Sequence, residues 1–381
     1  MIRTYKYKLY NTKKVKHIHN TINISGIVYN HCVALHKRYY KLYGKHLNKF
    51  QLQKHLTKLK KRAKYEFWKQ VPSQSIQNIT EKIGEAYKKF FDYAKGKSKL
   101  RVSPPNFKKM KKYSSYTLKG KVGYKIENNV ISLNGYQYSF WLSRPIKGTV
   151  KTLTVKRDHV GDFYICISLE QEEVQDRVAS GKSVGIDFGL KTFLSLSDKT
   201  EIEAPLYHLK NLSKIKKLNR SLSKKRKGSN HRKQAKLKLA KLHIKIANQR
   251  REYFHKLSND LALKYDHIFI EDLNMKAMQM MWGRKVSDLG FAEFVNILSY
   301  KTKVEKIDRF YPSSKTCSDC GTINHQINSD LEQLNNREFK CESCGLILDK
   351  DYNASLNIQR VGASTLSTEN VRPALSRLSL F

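Results

Sequence analysis

Three acidic residues lie in otherwise apolar or small-residue segments, and they constrain the fold of this chain more than any other feature. Asp187 lies inside the strand-like segment VGIDFG, Glu271 ends the strand-like segment DHIFIE, and Asp351 begins the helical pattern DYNASLNIQR. A buried carboxylate is costly unless a cation compensates its charge. Any one of these acids could be a structural carboxylate, but the three together indicate a shared site for divalent cations.

Phosphodiester hydrolysis is the chemistry that best matches such a site. It needs an activated water and charge relief on the leaving oxygen, and two Mg²⁺ ions about 4 Å apart supply both. Mg²⁺ prefers oxygen ligands and keeps some of its waters, so a few carboxylates suffice. We predict that Asp187 bridges the ions and that Glu271 and Asp351 each hold one side. Asp349 competes for the third place, and we prefer Asp351 because it directly precedes the helical pattern.

Four of the six cysteines form two Cys-x-x-Cys pairs, Cys317/Cys320 and Cys341/Cys344, with twenty residues between the pairs and a glycine after each. This spacing is typical of a structural Zn²⁺ ribbon whose tetrahedral site leaves no place for a catalytic water. We therefore predict one Zn²⁺ that folds segment 312–348 and takes no part in catalysis.

The chain is strongly basic, with 74 Lys and Arg residues against 32 acids and a net charge of +42. Such an excess needs a polyanion, and nucleic acid is the expected partner. From Lys210 to Lys256 there are eighteen basic residues and one acid, which is too one-sided for an ordinary solvated helix face. A second candidate contact is YPSSK, which fits either a phosphate grip or a plain turn. The predicted contacts are Lys224, Lys225, Arg226, Lys227, Arg232, Lys233, Ser313 and Lys315.

The first half of the chain predicts one β-barrel interrupted by helices. Residues 1–10 alternate with a period of two, and residues 113–170 are rich in strands, with a hairpin at RDHVGD. Between them lie a helical region at 12–66 and a strongly periodic helix at 74–94.

After a polar linker at 171–181, the second half predicts a different fold. Three short antiparallel strands within 183–204 would start an RNase H-like sheet, and two long basic helices follow in 208–264. We expect a loop at Met275–Gly290, then a helix at Phe291–Lys303 and a strand at Val304–Tyr311. No apolar run reaches the ~18 residues of a membrane span, and the N-terminus lacks a signal-peptide core. We therefore expect a cytoplasmic protein with no membrane partner.

Five ordered segments resemble the transposon-encoded TnpB family, which is related to the type V CRISPR effectors. They are GIDFGLKTFLSLSD, FIEDLNM, SDLGFAEF, DRFYPSSKTCSDCG and CESCGLILDKDYNASLNI. The resemblance covers 183–361 closely and the first half more loosely. It implies a compact RNA-guided RuvC-like endonuclease whose three catalytic acids fall on Asp187, Glu271 and Asp351. It also implies a guide non-coding RNA from the transposon end and a double-stranded DNA target next to a short motif.

With this resemblance, the expected architecture is an α+β multidomain protein, which we take to be a monomer. It has a wedge-like β-barrel at 1–11 and 97–170, an inserted helical recognition lobe at 12–96, a RuvC-like nuclease domain of RNase H-like α/β fold at 182–311 and 349–361, an inserted zinc ribbon at 312–348, and a C-terminal tail at 362–381 without an assigned function.

Two other functions stay open. Members of the family usually have a longer connection before the DRFYPSS segment, whereas residues 302–307 here are only TKVEKI. So short a joint leaves open a catalytically impaired RNA-guided DNA-binding repressor or relic. A guide-free zinc-ribbon nuclease is the other alternative, although the helical, aromatic first half is more than such an enzyme needs.

Overall fold

The computed structural model describes residues 2–10, 15–120, 122–171, 180–324 and 337–370. Two compact units make up the chain, Met1–Gln175 and Asp176–Phe381. No helix among the described residues is both long enough and apolar enough to cross a membrane.

The described part of the first unit contains strands, α-helices and two 3₁₀ helices, the latter at Ala63–Gln70 and Met110–Lys112. In chain order, the other elements are β1 (Ile2–Lys8), α1 (Val15–Tyr43), α2 (Lys49–Lys60), α3 (Ser73–Ala94), β2 (Ser115–Lys119), β3 (Tyr124–Glu127), β4 (Val130–Leu133), β5 (Tyr136–Ser139), β6 (Thr149–Arg157) and β7 (Phe163–Glu170).

The N-terminal strand joins the later β region, as the alternating pattern predicts. β1 pairs antiparallel with β7, and the sheet runs β1-β7-β6-β2. β3, β4 and β5 form a separate three-stranded sheet, although a bridge between Leu9 and Phe140 links the regions and both sheets contribute to one apolar core. In the described ranges, the strands therefore form two sheets around a common core rather than one continuous barrel ladder.

The described part of the second unit begins with three strands and its two long helices. In chain order, its elements are β8 (Ser183–Asp187), β9 (Thr192–Leu196), β10 (Glu201–Glu203), α4 (Tyr207–Lys210), α5 (Leu212–Ser223), α6 (Asn230–Lys264), β11 (His267–Glu271), α7 (Met275–Leu289), α8 (Phe291–Leu298), β12 (Lys303–Ile307), β13 (Glu338–Lys340), β14 (Ile347–Asp349) and α9 (Lys350–Asn370).

A five-stranded sheet in the order β10-β9-β8-β11-β12 organises the second unit. β8, β9 and β10 are consecutively antiparallel, which confirms the predicted run of three strands, while β8, β11 and β12 are parallel. The middle residues of β8 and β11 are buried, as expected for parallel strands covered on both faces. α9 packs on these strands and so brings a distant part of the chain to the centre of the sheet.

The loop predicted at Met275–Gly290 is wrong, because this segment forms α7. The side chain of Asn274 caps its first turn by accepting a hydrogen bond from the backbone N–H of Ala277 at 3.3 Å. Gly283 interrupts the helix with φ 46°. The segment is rich in residues with high helix propensity, such as methionine and lysine, and this favours a helix over a loop.

The short joint before β12 is a tight turn, and it does not disturb the sheet. The hydroxyl of Thr302 shares its single hydrogen between the backbone carbonyl oxygens of Tyr265 and Asp266, which lie 3.0 and 2.9 Å from it. β12 then pairs with β11 over its whole length, from Lys303 opposite His267 onwards. The strand starts at Lys303 rather than Val304 and ends at Ile307, which shortens the predicted strand but preserves its place.

Candidate active site

Asp187 and Glu271 occupy the carboxyl ends of two neighbouring parallel strands. The last described pair between β8 and β11 joins Ile186 to Ile270, so the two acids follow side by side, one residue beyond it. Adjacent strands lie about 4.8 Å apart, and equivalent positions point to the same face. The parallel register therefore brings together two carboxylates that the sequence places far apart.

Asp351 approaches the same strand end from α9. Asp349 is the N-cap of this helix, since its Oδ1 accepts hydrogen bonds from the backbone N–H groups of Asp351 and Tyr352 at 2.9 and 3.0 Å. A Cβ built on Gly189 would lie 3.8 Å from Oδ2 of Asp351, so this carboxylate stands beside the loop that follows Asp187. The capping role of Asp349 supports the preference for Asp351 as the third acid.

Gly185 makes this approach of the helix possible. A Cβ built there would lie 2.1 Å from the backbone oxygen of Ser355 and 2.5 Å from the backbone nitrogen of Gln359. Only a residue without a side chain fits between β8 and α9 at this point. The glycine two residues before Asp187 is therefore a packing requirement for the helix that carries Asp351.

The electrostatics of the site favour binding of a cation. Burial, together with the neighbouring carboxylates of Glu271 and Asp351, raises the pKa of Asp187 to about 8 against an opposing backbone hydrogen bond from Phe188. Burial also raises the pKa of Glu271, while a hydrogen bond from the hydroxyl of Ser313 lowers it. Like charges are thus held together at a cost that a divalent cation would remove.

Arg337 is a residue of the site that the sequence does not single out. Its guanidinium donates to Oδ2 of Asp351 at 3.1 Å and to the hydroxyl of Thr192 at 2.6 Å, and it lies 3.7 Å from Asp349. The pairing of β13 with β14 places it there, since Glu338 lies opposite Asp349. No periodicity or motif marks this arginine, so only the contact itself identifies it.

The donor set fits magnesium in its chemistry, since it consists of carboxylate oxygens that need a counter-charge. The three acids do not gather around one point, because among the described residues only the cysteine group has three or more ligand atoms within 4.8 Å of one another. Two ions about 4 Å apart, each about 2 Å from its ligands, span a larger distance than this.

The four cysteines form a compact cluster with the geometry of a zinc centre. The Sγ atoms of Cys317 and Cys344 lie 3.7 Å apart, and those of Cys320 and Cys341 lie 3.6 Å apart. Tetrahedral Zn–S bonds of about 2.3 Å place sulfur atoms about 3.8 Å from each other. All four thiols lie within 4.8 Å of one another, so the quartet could hold the predicted Zn²⁺.

The predicted nucleic-acid contacts divide into exposed and engaged side chains. Lys224, Arg226 and Lys227 are exposed at the tip between α5 and α6, Lys225 is partly buried there, and Lys233 is exposed on the first turn of α6. Arg232, by contrast, donates to the backbone carbonyls of Leu222 and Lys225, both at 2.8 Å, and so closes this turn.

Ser313 and Lys315, the two predicted nucleic-acid contacts before the first cysteine, are not fully exposed surface residues. Ser313 is buried and donates its hydroxyl to Glu271, so it contacts an acid rather than solvent. Lys315 is partly buried, and its backbone carbonyl accepts a hydrogen bond from Asn324. The YPSSK segment is thus a turn whose serine belongs to the candidate site.

Comparisons with known proteins place the chain among transposon-encoded proteins. One family profile, OrfB_IS605, described as "Probable transposase", matches residues 165–281, and another, the Cas12f1-like TNB domain, matches residues 291–358. A Streptomyces pristinaespiralis protein, provisionally named an RNA-guided DNA endonuclease, is 30% identical over 386 residues, which cover 97% of this chain and 92% of its own length. The chain belongs to the TnpB family.

Further similarities agree with this assignment. The TnpB-like protein L79 of Acanthamoeba polyphaga mimivirus is 30% identical over 241 residues, 58% of this chain and 45% of its own length. Among solved structures, Cas12f1 in a complex with sgRNA and target DNA superposes with a TM-score of 0.56 at 15% identity, covering 91% of this TnpB-family chain and 83% of Cas12f1. The predicted mixed α+β fold is therefore confirmed, and it matches the fold of Cas12f1.

Proposed function

We propose that this TnpB-family protein is an RNA-guided DNA endonuclease of an insertion-sequence transposon, which hydrolyses phosphodiester bonds of target DNA. One observation carries this proposal: Asp187 and Glu271 end adjacent parallel strands, and α9 brings Asp351 to the same place. The similarity to a protein provisionally named an RNA-guided DNA endonuclease supports the same function.

The three acids would hold the metal in this proposal. Asp187 is central on the sheet and close to both other acids, and with Glu271 and Asp351 it would bind two Mg²⁺ ions. When bound, the ions supply an activated water and stabilise the leaving oxygen. Arg337 neutralises Asp351 and brings positive charge to the edge of the site, where a phosphate would enter.

The remaining architecture follows from the same proposal. The unit built on β8 to β12 is a RuvC-like nuclease domain at 182–311 and 349–361, with a Zn²⁺ ribbon at 312–348. The first unit contains the wedge at 1–11 and 97–170 and the recognition lobe at 12–96. Residues 325–336 of the ribbon and 371–381 of the tail lie outside the described residues.

A guide RNA from the transposon end and a double-stranded DNA target are the proposed partners of a monomeric protein. The exposed basic tip between α5 and α6 supports this proposal, because none of its Lys224, Arg226 or Lys227 side chains has an ion pair among the described residues. In such systems base pairing selects the sequence, and the protein holds the phosphate backbones.

The competing functions are separated by one experiment. Purified protein is given Mg²⁺ and target DNA, with or without the transposon-end RNA. We expect cleavage only with the RNA, and we expect Asp187→Asn to abolish cleavage while RNA binding is retained. The exposed carboxylate of Asp260 on α6 offers a matched control, since Asp260→Asn should cut normally.

Other outcomes would assign a different function. Cleavage without RNA would identify a guide-free nuclease, and RNA-dependent DNA binding without cleavage would identify a repressor or relic. Normal cleavage by Asp187→Asn would refute the assignment of the site. The in-register β12 removes the structural reason to expect impaired activity, because the short joint leaves the sheet intact.

A further inference from the structure

Two asparagines on one face of α9 grip the segment that leads into the first cysteine pair. Asn353 and Asn357, spaced by four residues, are both 0% exposed. Asn353 donates through Nδ2 to the backbone carbonyl of Thr316 at 2.8 Å, and its Oδ1 accepts from the backbone N–H of Ser318 at 2.9 Å. Asn357 donates through Nδ2 to the carbonyl oxygens of Ser313 and Thr316 at 2.9 and 2.7 Å.

Ser313 connects this grip to the sheet. This residue is only 5% exposed, and its hydroxyl donates to Oε1 of Glu271. Asn357 holds the backbone carbonyl of the same serine. A chain of hydrogen bonds therefore runs from the helix that begins with Asp351, through Asn357 and Ser313, to the carboxylate at the end of β11.

The side-chain amide of Asn357 uses both of its N–H donors, while its acceptor oxygen has no partner among the described residues. Both of its Nδ2 partners are carbonyl oxygens, so the amide cannot be flipped without losing both hydrogen bonds. Its Oδ1 is buried and has no hydrogen-bond partner among the described residues. An unsatisfied buried acceptor destabilises a protein, so the value of this residue lies in what its donors hold.

We propose that Ser313 and Asn357 are positioning residues that fix the carboxylate of Glu271 relative to Asp351. The serine hydroxyl engages Oε1 and leaves Oε2 for a divalent cation. Because the asparagine is anchored on α9, the serine moves with the helix that carries Asp351, and the spacing of the outer two acids is held constant. The inference rests on the proposed function only in taking these acids as cation ligands.

Such outer contacts orient metal ligands, and their loss typically weakens metal affinity or activity by about 10–100-fold. We expect Ser313→Ala to raise the Mg²⁺ concentration for half-maximal cleavage about tenfold and to weaken Mn²⁺ binding, measured by titration calorimetry on the intact protein, by a similar factor. The Zn²⁺ content should be unchanged. Ser314→Ala is the matched control, because it deletes a neighbouring hydroxyl for which the described residues offer no hydrogen-bond partner.

Asn357→Leu provides an independent variant, since it fills a similar volume and removes both donors but leaves the hydroxyl of Ser313 in place. We expect the same loss of Mn²⁺ affinity, and this variant decides the question if Ser313→Ala loses Zn²⁺ or fails to fold. Mn²⁺ affinities equal to wild type in a folded variant would overturn the inference. A wild-type protein that binds Mn²⁺ but never cuts would refute the proposed function alone, because the calorimetric comparison remains valid.

Discussion

A single methyl group at Gly185 should disable the site without touching any acid. Its Cβ would lie 2.1 Å from the backbone oxygen of Ser355 and 2.9 Å from Cβ of Gln359, and real Cβ atoms essentially never approach heavy atoms within 3.0 Å. Because one obstacle is the backbone itself, α9 must retreat by about 1 Å. Asp351 moves with the helix, so the effect reaches the three-acid site directly.

The magnitude of this effect follows from two sources. Overpacking of a core by one methyl group costs about 1–3 kcal/mol of unfolding free energy, and more where backbone must move. A misplacement of about 1 Å at a reacting centre costs about 10²-fold in rate. We therefore expect Gly185→Ala to lower the urea midpoint of the second unit and to reduce guided cleavage about a hundredfold, with RNA binding retained.

The matched control is Gly84→Ala, which makes the same chemical change within α3. A Cβ at Gly84 has nothing within 4 Å, and alanine is favoured over glycine in a helix interior by about 1 kcal/mol. The control should be neutral or slightly stabilising and should cut normally. If Gly185→Ala has the urea midpoint and the cleavage rate of wild type, the close approach of α9 is not what positions Asp351, and the reasoning fails.

Three further perturbations test other parts of the structure. Because the pKa of Asp187 is raised, the folded state holds a proton that the unfolded state releases, and the unfolding free energy of the metal-free protein should fall as pH rises from about 4 to about 8. Asp187→Asn should flatten this decline in urea titrations at a series of pH values. An unchanged pH dependence in the variant would contradict the raised pKa. Cys341→Ser should lose Zn²⁺ by elemental analysis and lose hydrogen-exchange protection in β13 and β14, whereas retained protection would count against a folding role for the metal. Replacing Lys224, Arg226 and Lys227 by alanine should weaken nucleic-acid binding and reduce the slope of log affinity against log salt by up to about 3; an unchanged slope would exclude phosphate contact by the tip.

Local sequence patterns predict helices and strands well where the burial of apolar side chains dominates. The 3–4 spacing of Ile76, Ile79 and Ile83 predicts α3, and the structure buries these side chains together. The alternation at the N-terminus predicts β1 and its pairing with the later β region. In both cases the burial of apolar side chains sets the conformation, and the spacing of the apolar residues along the sequence shows the period of the helix or strand.

Predictions were weaker where tertiary contacts compete with local preference. The prediction of a loop at 275–290 missed α7, whose first turn is capped by Asn274 and whose residues Met275 and Leu289 pack on the core of the second unit. The alternating pattern of the strands does not predict whether a barrel closes either, because closure depends on which strand edges pair. The two sheets of the first unit share a core without a continuous ladder in the described ranges.

The sequence by itself determined the candidate residues for metal binding and catalysis. Carboxylates in apolar strands and paired cysteines are costly or reactive unless a cation holds them, so their identity shows through without a structure. Only the tertiary structure decided how they meet: the parallel register beside Glu271, the glycine contact beneath α9, and the engagement of Arg337 and Ser313. These contacts join segments that are distant along the chain, and no local period encodes a pairing that only the packing of the whole sheet can select.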